Sequence, residues 1–233
     1  MAHARGIAAL VCGAGLAVGC ATAPPATTGS LDGLQAEWFY VPGPYRTLQS
    51  IGDATRTAEV GPENDGRWTV RFGDPATTIV VARLDDGRPA TARIADPRRD
   101  ETVVFDPPLA LVPRPGQPAP AAETTTITLY QGLWPEEDLD AARVKRRGEA
   151  ERRFLGFEAA SWGFEGREFP AQQLTHELVL SLNPATVRQV YVSVAVEGRG
   201  IVEESMDERV IVLGVRIGGR EERVEVIEFI DER

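Results

Sequence analysis

Short runs of β-branched and aromatic residues, separated by Gly, Pro, Asn and Asp, recur along most of this 233-residue chain. Gly contributes 23 residues and Pro 17, a content that favours frequent turns. Such runs are typical of strands, because β-branched side chains fit a pleated surface and turn residues end each run. The sequence therefore predicts a mainly β fold: a curved antiparallel sheet, as a sandwich or partly open barrel, with at most one or two short helices.

The predicted strands are dense in the last third of the chain. In the first part they cover residues 37–41, 67–72, 77–84, 90–95, 102–105 and 124–130. The last third is predicted to form a meander over 151–160, 167–182, 187–196, 201–205, 209–217 and 223–230. Turns are expected at Glu165-Gly166, Asn183-Pro184, Glu197-Gly198 and Gly218-Gly219. Residues 151–230 should therefore form one contiguous sheet, and the run around Val210, which lacks clean alternation, is predicted to be buried on both faces.

Two segments depart from the strand pattern. Residues 106–120 carry six prolines, which argue against a helix and against a central strand. This segment is either a linker between two halves of the domain or an extended edge, and its apolar run 109–112 favours a strap packed onto the domain over a free hinge. Residues 135–147 form the one helix candidate, with acidic residues at its start and basic residues at its end. Its apolar face is little more than Leu139 and Ala142, so a strand remains open there.

The N-terminus carries the pattern of a secretion signal. Residues 6–19 are uncharged and mostly apolar, but too few to span a hydrocarbon core of about 30 Å comfortably. They lead into Ala17-Val18-Gly19-Cys20, which resembles the lipobox of bacterial lipoproteins, where cleavage precedes a lipidated cysteine. The resemblance implies a signal peptide over 1–19 and lipidation, palmitate included, at Cys20. Cleavage after Ala23 is the alternative, although Pro24 is a poor residue to follow it.

The lipobox also implies a domain organisation and a location. Residues 20–33 would be the lipid anchor and a flexible tether, and residues 34–233 the β-rich envelope domain. Ala21 after the cysteine implies, by the same resemblance, the outer membrane facing the periplasm. Once the signal is removed and Cys20 is lipidated, the mature chain would keep no thiol for a disulfide, a nucleophile or a metal.

A second resemblance lies in the C-terminal half. Phe169-Pro170-Ala171 precedes a long strand, Gly198-Arg199-Gly200 opens a later hairpin, and a proline string follows Phe105. This order resembles a large group of bacterial periplasmic lipoproteins described only as a domain of unknown function. Gln172 stands where that group usually has Gly. The resemblance implies a curved antiparallel sheet in the cell envelope and no established activity.

Candidate catalytic residues are few. The net charge of −10 argues against nucleic-acid binding, which needs clustered positive charge. His176 is the one histidine after the signal, and its neighbours Thr175 and Glu177 point to the other face of a strand. Ser161 and Ser205 lack the G-x-S-x-G context of a hydrolase nucleophile. The chain is therefore predicted not to be an enzyme.

Binding motifs are equally weak. The acidic residues at 136–140 lack the alternating spacing of a calcium loop, and Gly198-x-Gly200 lacks the third glycine of a phosphate loop. No metal or cofactor site is therefore predicted. Aromatic residues either line a groove for a lipid or glycan or pack the core; they are Trp38, Phe39, Tyr40, Trp68, Trp134 and Trp162.

Three functions remain from the sequence. The first is a non-catalytic, membrane-anchored envelope lipoprotein whose β-rich domain binds or scaffolds an envelope protein. The alternative is a carrier or binder of an apolar ligand, such as a lipid or an acyl chain. A hydrolase is the third. A concave face lined by apolar side chains would favour the carrier, and a filled interior would favour the scaffold.

Overall fold

The computed structural model describes residues 31–135, 138–139 and 142–230, which fold into one closed antiparallel barrel of twelve strands. The strands are β1 Tyr45–Ile51, β2 Ala54–Val60, β3 Arg67–Phe72, β4 Thr77–Arg83, β5 Pro89–Asp96, β6 Glu101–Ala110, β7 Ala121–Gln131, β8 Arg143–Phe164, β9 Arg167–Leu182, β10 Ala185–Val196, β11 Gly200–Val212 and β12 Val215–Phe229. Each strand pairs with the next, and β1 pairs with β12 to close the barrel. The mainly β prediction is therefore confirmed.

Alternation along the strands separates an inner and an outer face. In β7, Thr125, Ile127 and Leu129 are buried, while Thr126 and Thr128 between them are less buried. Successive side chains of a strand point to opposite faces, so the buried set lies inside the barrel. Helix is limited among the described residues to short 3-10 turns, of which Ala36–Trp38 is one. None of the described helices is long and apolar enough to cross a membrane.

The barrel has two distinct ends, named here by where the chain enters. The entry end holds the start of β1, the end of β12 and the turns after β8 and β10. The far end holds the turns after β1, β5, β9 and β11. The segment before β1 packs at the entry end, where Leu31 and Phe39 contact the buried side chains of Val112, Phe154 and Leu174. This segment therefore covers part of that end.

Several strand predictions need correction in the first half. Residues 36–38 form a 3-10 helix that overlaps the predicted strand 37–41, and β1 and β2 were not predicted. Residues 106–110 belong to β6, against the prediction that prolines exclude a central strand. The ladders to β5 and β7 leave Pro107 and Pro108 unpaired, so the missing N–H groups cost no ladder bond. Leu111 and Val112 beyond them are buried, as a packed strap requires.

The predicted helix at 135–147 is wrong from residue 143 onward, where β8 begins. Gly148, the residue just beyond the predicted helix, lies inside β8 opposite Ile127 of β7. A Cβ atom at Gly148 would lie 2.0 Å from the Ser181 carbonyl oxygen. The glycine therefore permits a close approach of β9 and does not end a helix. Residues 136, 137, 140 and 141 lie outside the described residues.

The last hairpin also differs from the prediction. β11 runs unbroken over 200–212, where two strands were expected, and the turn falls at Leu213-Gly214. Gly218-Gly219, predicted as a turn, lies inside β12. Val210 is buried but Leu213 is 81% exposed, so burial of this region on both faces was also wrong. The prediction that 151–230 form one contiguous antiparallel sheet is confirmed by the pairing of β8 through β12.

Candidate functional site

The interior of the barrel contains a cavity of about 220 Å³. Its wall combines residues of the segment before β1 with inward-facing side chains of β1–β6 and β8–β12. Most of the wall is aromatic or aliphatic, as Phe39, Tyr40, Trp68, Val70, Phe72 and Val81 show. This volume is several times the share of about 30 Å³ that one water molecule has in the liquid. The cavity is therefore large enough for one short alkyl chain or one ring.

Strand register brings a small polar group to this apolar wall. Phe154, His176 and Tyr191 stand opposite one another across β8, β9 and β10. Arg152 stands opposite Leu178 one step further along the same face. Because partners in an antiparallel ladder share a face, these side chains all point inward. The local alternation of β8 therefore places one guanidinium inside the barrel.

Arg152 is buried, with 6% of its surface exposed, and lines the cavity. Its Nη1–H donates a hydrogen bond to the Ala110 carbonyl oxygen at 3.0 Å. Its buried Nε has no hydrogen-bond partner, and no carboxylate of the described residues forms an ion pair with it. Burial lowers the pKa of Arg152, but guanidinium remains protonated in proteins. The cavity wall thus carries a cation that forms no ion pair within the described part of the chain.

His176 lies beside Arg152 and is 2% exposed. Its ring stacks on Tyr191, with centroids 4.9 Å apart and planes at 15°. Burial, and then the charge of Arg152, hold the pKa of His176 well below its usual range, so the ring is neutral at neutral pH. Its Nδ1 has no hydrogen-bond partner among the described residues. The histidine therefore contributes ring surface to the site, and the prediction of no enzymatic activity stays a prediction.

A hydrogen-bonded network lies next to the cavity, toward the far end of the barrel. The Tyr191 hydroxyl donates to Gln189 Oε1 at 2.8 Å, and Gln189 Nε2 donates to Glu208 Oε2 at 2.6 Å. Arg220 lies 3.6 Å from Glu208 Oε1. Burial raises the pKa of Glu208. This network fills the interior beyond Tyr191, so the cavity is bounded on that side by polar groups.

Two further charged residues line the cavity. Glu204 Oε2 accepts a hydrogen bond from the Ser193 hydroxyl at 2.9 Å, and burial raises the pKa of this carboxyl. Arg56 Nε donates to Gln49 Oε1 at 2.8 Å, and its guanidinium lies 4.4 Å from the centre of the Phe72 ring. Both residues already make contacts inside the barrel. Neither forms an ion pair with Arg152 within the described chain.

The aromatic residues singled out from the sequence divide between cavity and core. Phe39, Tyr40 and Trp68 line the cavity. Trp162 instead stacks on Phe164 with ring centroids 4.8 Å apart, in a separate cluster at the entry end. Trp38 packs against the cluster of the segment before β1, and Trp134 lies in the loop after β7. The aromatic residues therefore divide between the cavity wall and packed clusters, and a ligand for those on the wall stays a prediction.

Other predicted features lie elsewhere. Cys20 and most of the acidic run at 136–140 lie outside the described residues. Within the described ranges, no group of three or more His, Cys, Asp or Glu is placed to hold a metal ion.

Arg152 was not predicted from the sequence. A signal for it exists, because the alternation Ala150, Arg152, Phe154 places an arginine between two apolar residues of one strand face.

The fold and site together define a closed antiparallel β-barrel with an apolar internal cavity and a buried cation on its wall. No protein-family model, curated protein or solved structure matches the chain. The resemblance to periplasmic lipoproteins of unknown function therefore stays a prediction.

Proposed function

We propose that the barrel is a binding domain that holds one small amphipathic ligand in its interior. The observation that carries the proposal is the cavity of about 220 Å³ bounded by aromatic and aliphatic side chains. Ligand sites are typically mostly apolar concavities with a few polar groups that fix orientation. Of the functions considered from the sequence, this supports the carrier of an apolar ligand over a scaffold, which needs no internal space.

Packing arguments support the same choice. Protein interiors are close-packed, and an apolar void of this size forfeits dispersion contacts along its whole lining. The other half of the interior is filled, as Ile127, Leu129, Leu180 and Val187 form a buried cluster there. A barrel that fills one half of its core and leaves the other half open is expected where the open half has an occupant.

We further propose that the domain is an envelope lipoprotein anchored through Cys20, at the outer membrane. The chain enters the barrel beside the cavity, since Phe39 and Tyr40 belong to the segment before β1. Ten residues lie between Cys20 and Leu31, so a fully extended chain separates the two by at most about 40 Å. An anchor there would hold the entry end near a membrane surface, the usual source of acyl chains.

Binding is tested with a neutral, environment-sensitive dye, N-phenyl-1-naphthylamine, added to the purified full-length protein. Ala58 lies on the inner face of β2 and lines the cavity, whereas Thr57 is exposed on the outer face. Ala58→Phe should fill the cavity and abolish the rise in dye fluorescence. The matched control Thr57→Phe should leave the rise intact. Equal fluorescence in the two variants would rule out the interior as the binding site.

The anchor is tested separately by cell fractionation of Cys20→Ser. We expect the wild-type chain to sediment with membranes and the variant to appear in the soluble fraction, because several acyl chains on one residue give firm attachment. A variant that still sediments as the wild type does would contradict the anchor. It would leave ligand binding by the barrel unaffected.

A further inference from the structure

We propose that the ligand of the barrel is a single-chain amphiphile with a carboxylate head group, and that Arg152 binds this carboxylate. The inference rests on the proposed function and adds the chemical class and the orientation of the ligand. The simplest member of the class is a fatty acid.

The first argument is the contrast between the two most buried arginines of the described residues. Arg88 is 5% exposed, with Nε 2.7 Å from Asp86 and Nη1 3.0 Å from Glu123. Arg152 is 6% exposed and forms no such ion pair. Buried charges in proteins are normally paired. The anion that Arg152 lacks within the described chain is therefore expected from a bound molecule.

The second argument is the geometry around Arg152. Among the described residues its buried Nε has no hydrogen-bond partner, and the side chain lines the cavity. A planar guanidinium with unused N–H groups matches the two oxygens of a carboxylate. Glu204 lines the same cavity and its charge acts on Arg152, but within the described residues it forms no ion pair with the guanidinium, and His176 is a neutral ring. The head group would therefore lie at Arg152.

The third argument is the polarity of the space on either side of Arg152. The row Leu178, Gln189 and Glu208 stands opposite Arg152 across β9, β10 and β11, and leads into the polar network already described. The β3–β4 side of the cavity is apolar, with Trp68 and Val81 in its wall. The alkyl chain of the ligand would therefore extend from Arg152 toward β3–β4.

The experiment compares decanoate with 1-decanol, which share a chain and differ in the head group. Each is titrated calorimetrically at neutral pH into wild-type protein, Arg152→Met, Arg152→Lys and Arg153→Met. Arg153 is a matched control, because it is exposed on the outer face of the same strand and pairs with Glu151. We expect wild type and Arg153→Met to bind decanoate at least about tenfold more tightly than decanol. Arg152→Met should bind both equally, and Arg152→Lys should keep part of the preference.

The outcomes separate this inference from the proposed function. If wild type binds neither compound, or Ala58→Phe binds as well as wild type does, the proposed function fails. If wild type binds both compounds with equal affinity, or Arg152→Met keeps the preference, the barrel is a binding domain but the head-group assignment is wrong. Decyl phosphate serves as a third titrant, and tighter binding of it than of decanoate would also overturn the carboxylate. Circular dichroism of each variant checks that the barrel is folded.

Discussion

Arg88 and Arg152 are buried to nearly the same extent but have different partners, and this difference predicts opposite responses to the same substitution. Arg88→Met should lower the free energy of unfolding by about 2 kcal/mol, because Asp86 and Glu123 lose the cation between them. The free energy of unfolding of Arg152→Met should be at most about 1 kcal/mol below that of wild type, or higher than it. The reason is that no carboxylate of the described residues is left unpaired. Urea unfolding of ligand-free protein measures both. An equal loss in the two variants would contradict the account of Arg152.

Glu204 gives a pH-dependent prediction. Its carboxyl faces Ser193, Arg56, Arg152 and Glu222, and burial raises its pKa above the ordinary value of 4.5. Between pH 4.5 and this raised pKa, the folded protein therefore keeps a proton on Glu204 that the unfolded chain has lost. The stability from this group is complete below pH 4.5 and is lost as the pH rises through the raised folded-state pKa.

Glu204→Gln removes the titrating group but keeps an oxygen that can accept the Ser193 hydrogen bond. The variant should therefore be more stable than wild type at neutral and higher pH. The difference should shrink toward pH 4.5. Thermal unfolding across this range checks the trend. A difference between the two proteins that is constant with pH would show that Glu204 is not buried as described.

At the scale of the strands, Gly148 and Gly219 both permit close approach between neighbouring strands, although the sequence predicted a turn at Gly219. A Cβ atom at Gly219 would lie 2.3 Å from the Glu208 carbonyl oxygen across the β11–β12 pair. A Cβ atom at the adjacent Gly218 would meet nothing within 4 Å. Sequence patterns cannot separate these cases, because a turn and a tight crossing both favour glycine.

The pair gives a prediction with its own control. Gly219→Ala should lower the free energy of unfolding by about 2 kcal/mol or more, because the strands must move apart. Gly218→Ala should be neutral or slightly stabilising, because alanine lowers the entropy of the unfolded chain. The midpoint of urea unfolding measures both. Equal effects of the two substitutions would show that the crossing at Gly219 is looser than described.

The strands themselves were predictable where the pattern is strong. The runs 67–72 and 77–84 have β-branched residues and clear turns, and they form β3 and β4. β1 and β2 were missed because arginine, threonine, glutamine and serine dilute their apolar residues, and this polar content belongs partly to the cavity wall at Gln49 and Arg56. A helix was wrongly predicted over the first residues of β8, because acidic residues begin the run 135–147 and basic residues end it. Pairing with β7 overrides this local charge pattern.

For the molecule as a whole, closure could not be predicted from the sequence. β1 and β12 pair although about 170 residues separate them, and local patterns do not indicate which distant strands meet. The cavity depends on this closure, because its wall combines side chains from both ends of the chain. A mainly β fold follows from the sequence, whereas an internal site follows only from the closed barrel.

The ladders also predict where the barrel opens most easily. β2 and β3 pair only over Ala58–Val60, whereas β8 and β9 pair from Glu149 to Phe164. Fewer shared hydrogen bonds permit opening at lower free energy. Amide hydrogen exchange should therefore be fastest in β2 and β3 among the strands and slowest in β8 and β9. Uniform protection across these strands would contradict the expected weak seam.

The central claim is that an amphiphile lies inside the barrel with its carboxylate on Arg152. A crystal structure of the protein with a fatty acid that carries bromine at its tail tests this directly, because anomalous scattering locates the bromine. We expect the carboxylate within hydrogen-bond distance of the Arg152 guanidinium and the bromine near Trp68 and Val81. Bromine on the outer surface, or inside with the head group away from Arg152, would contradict the account.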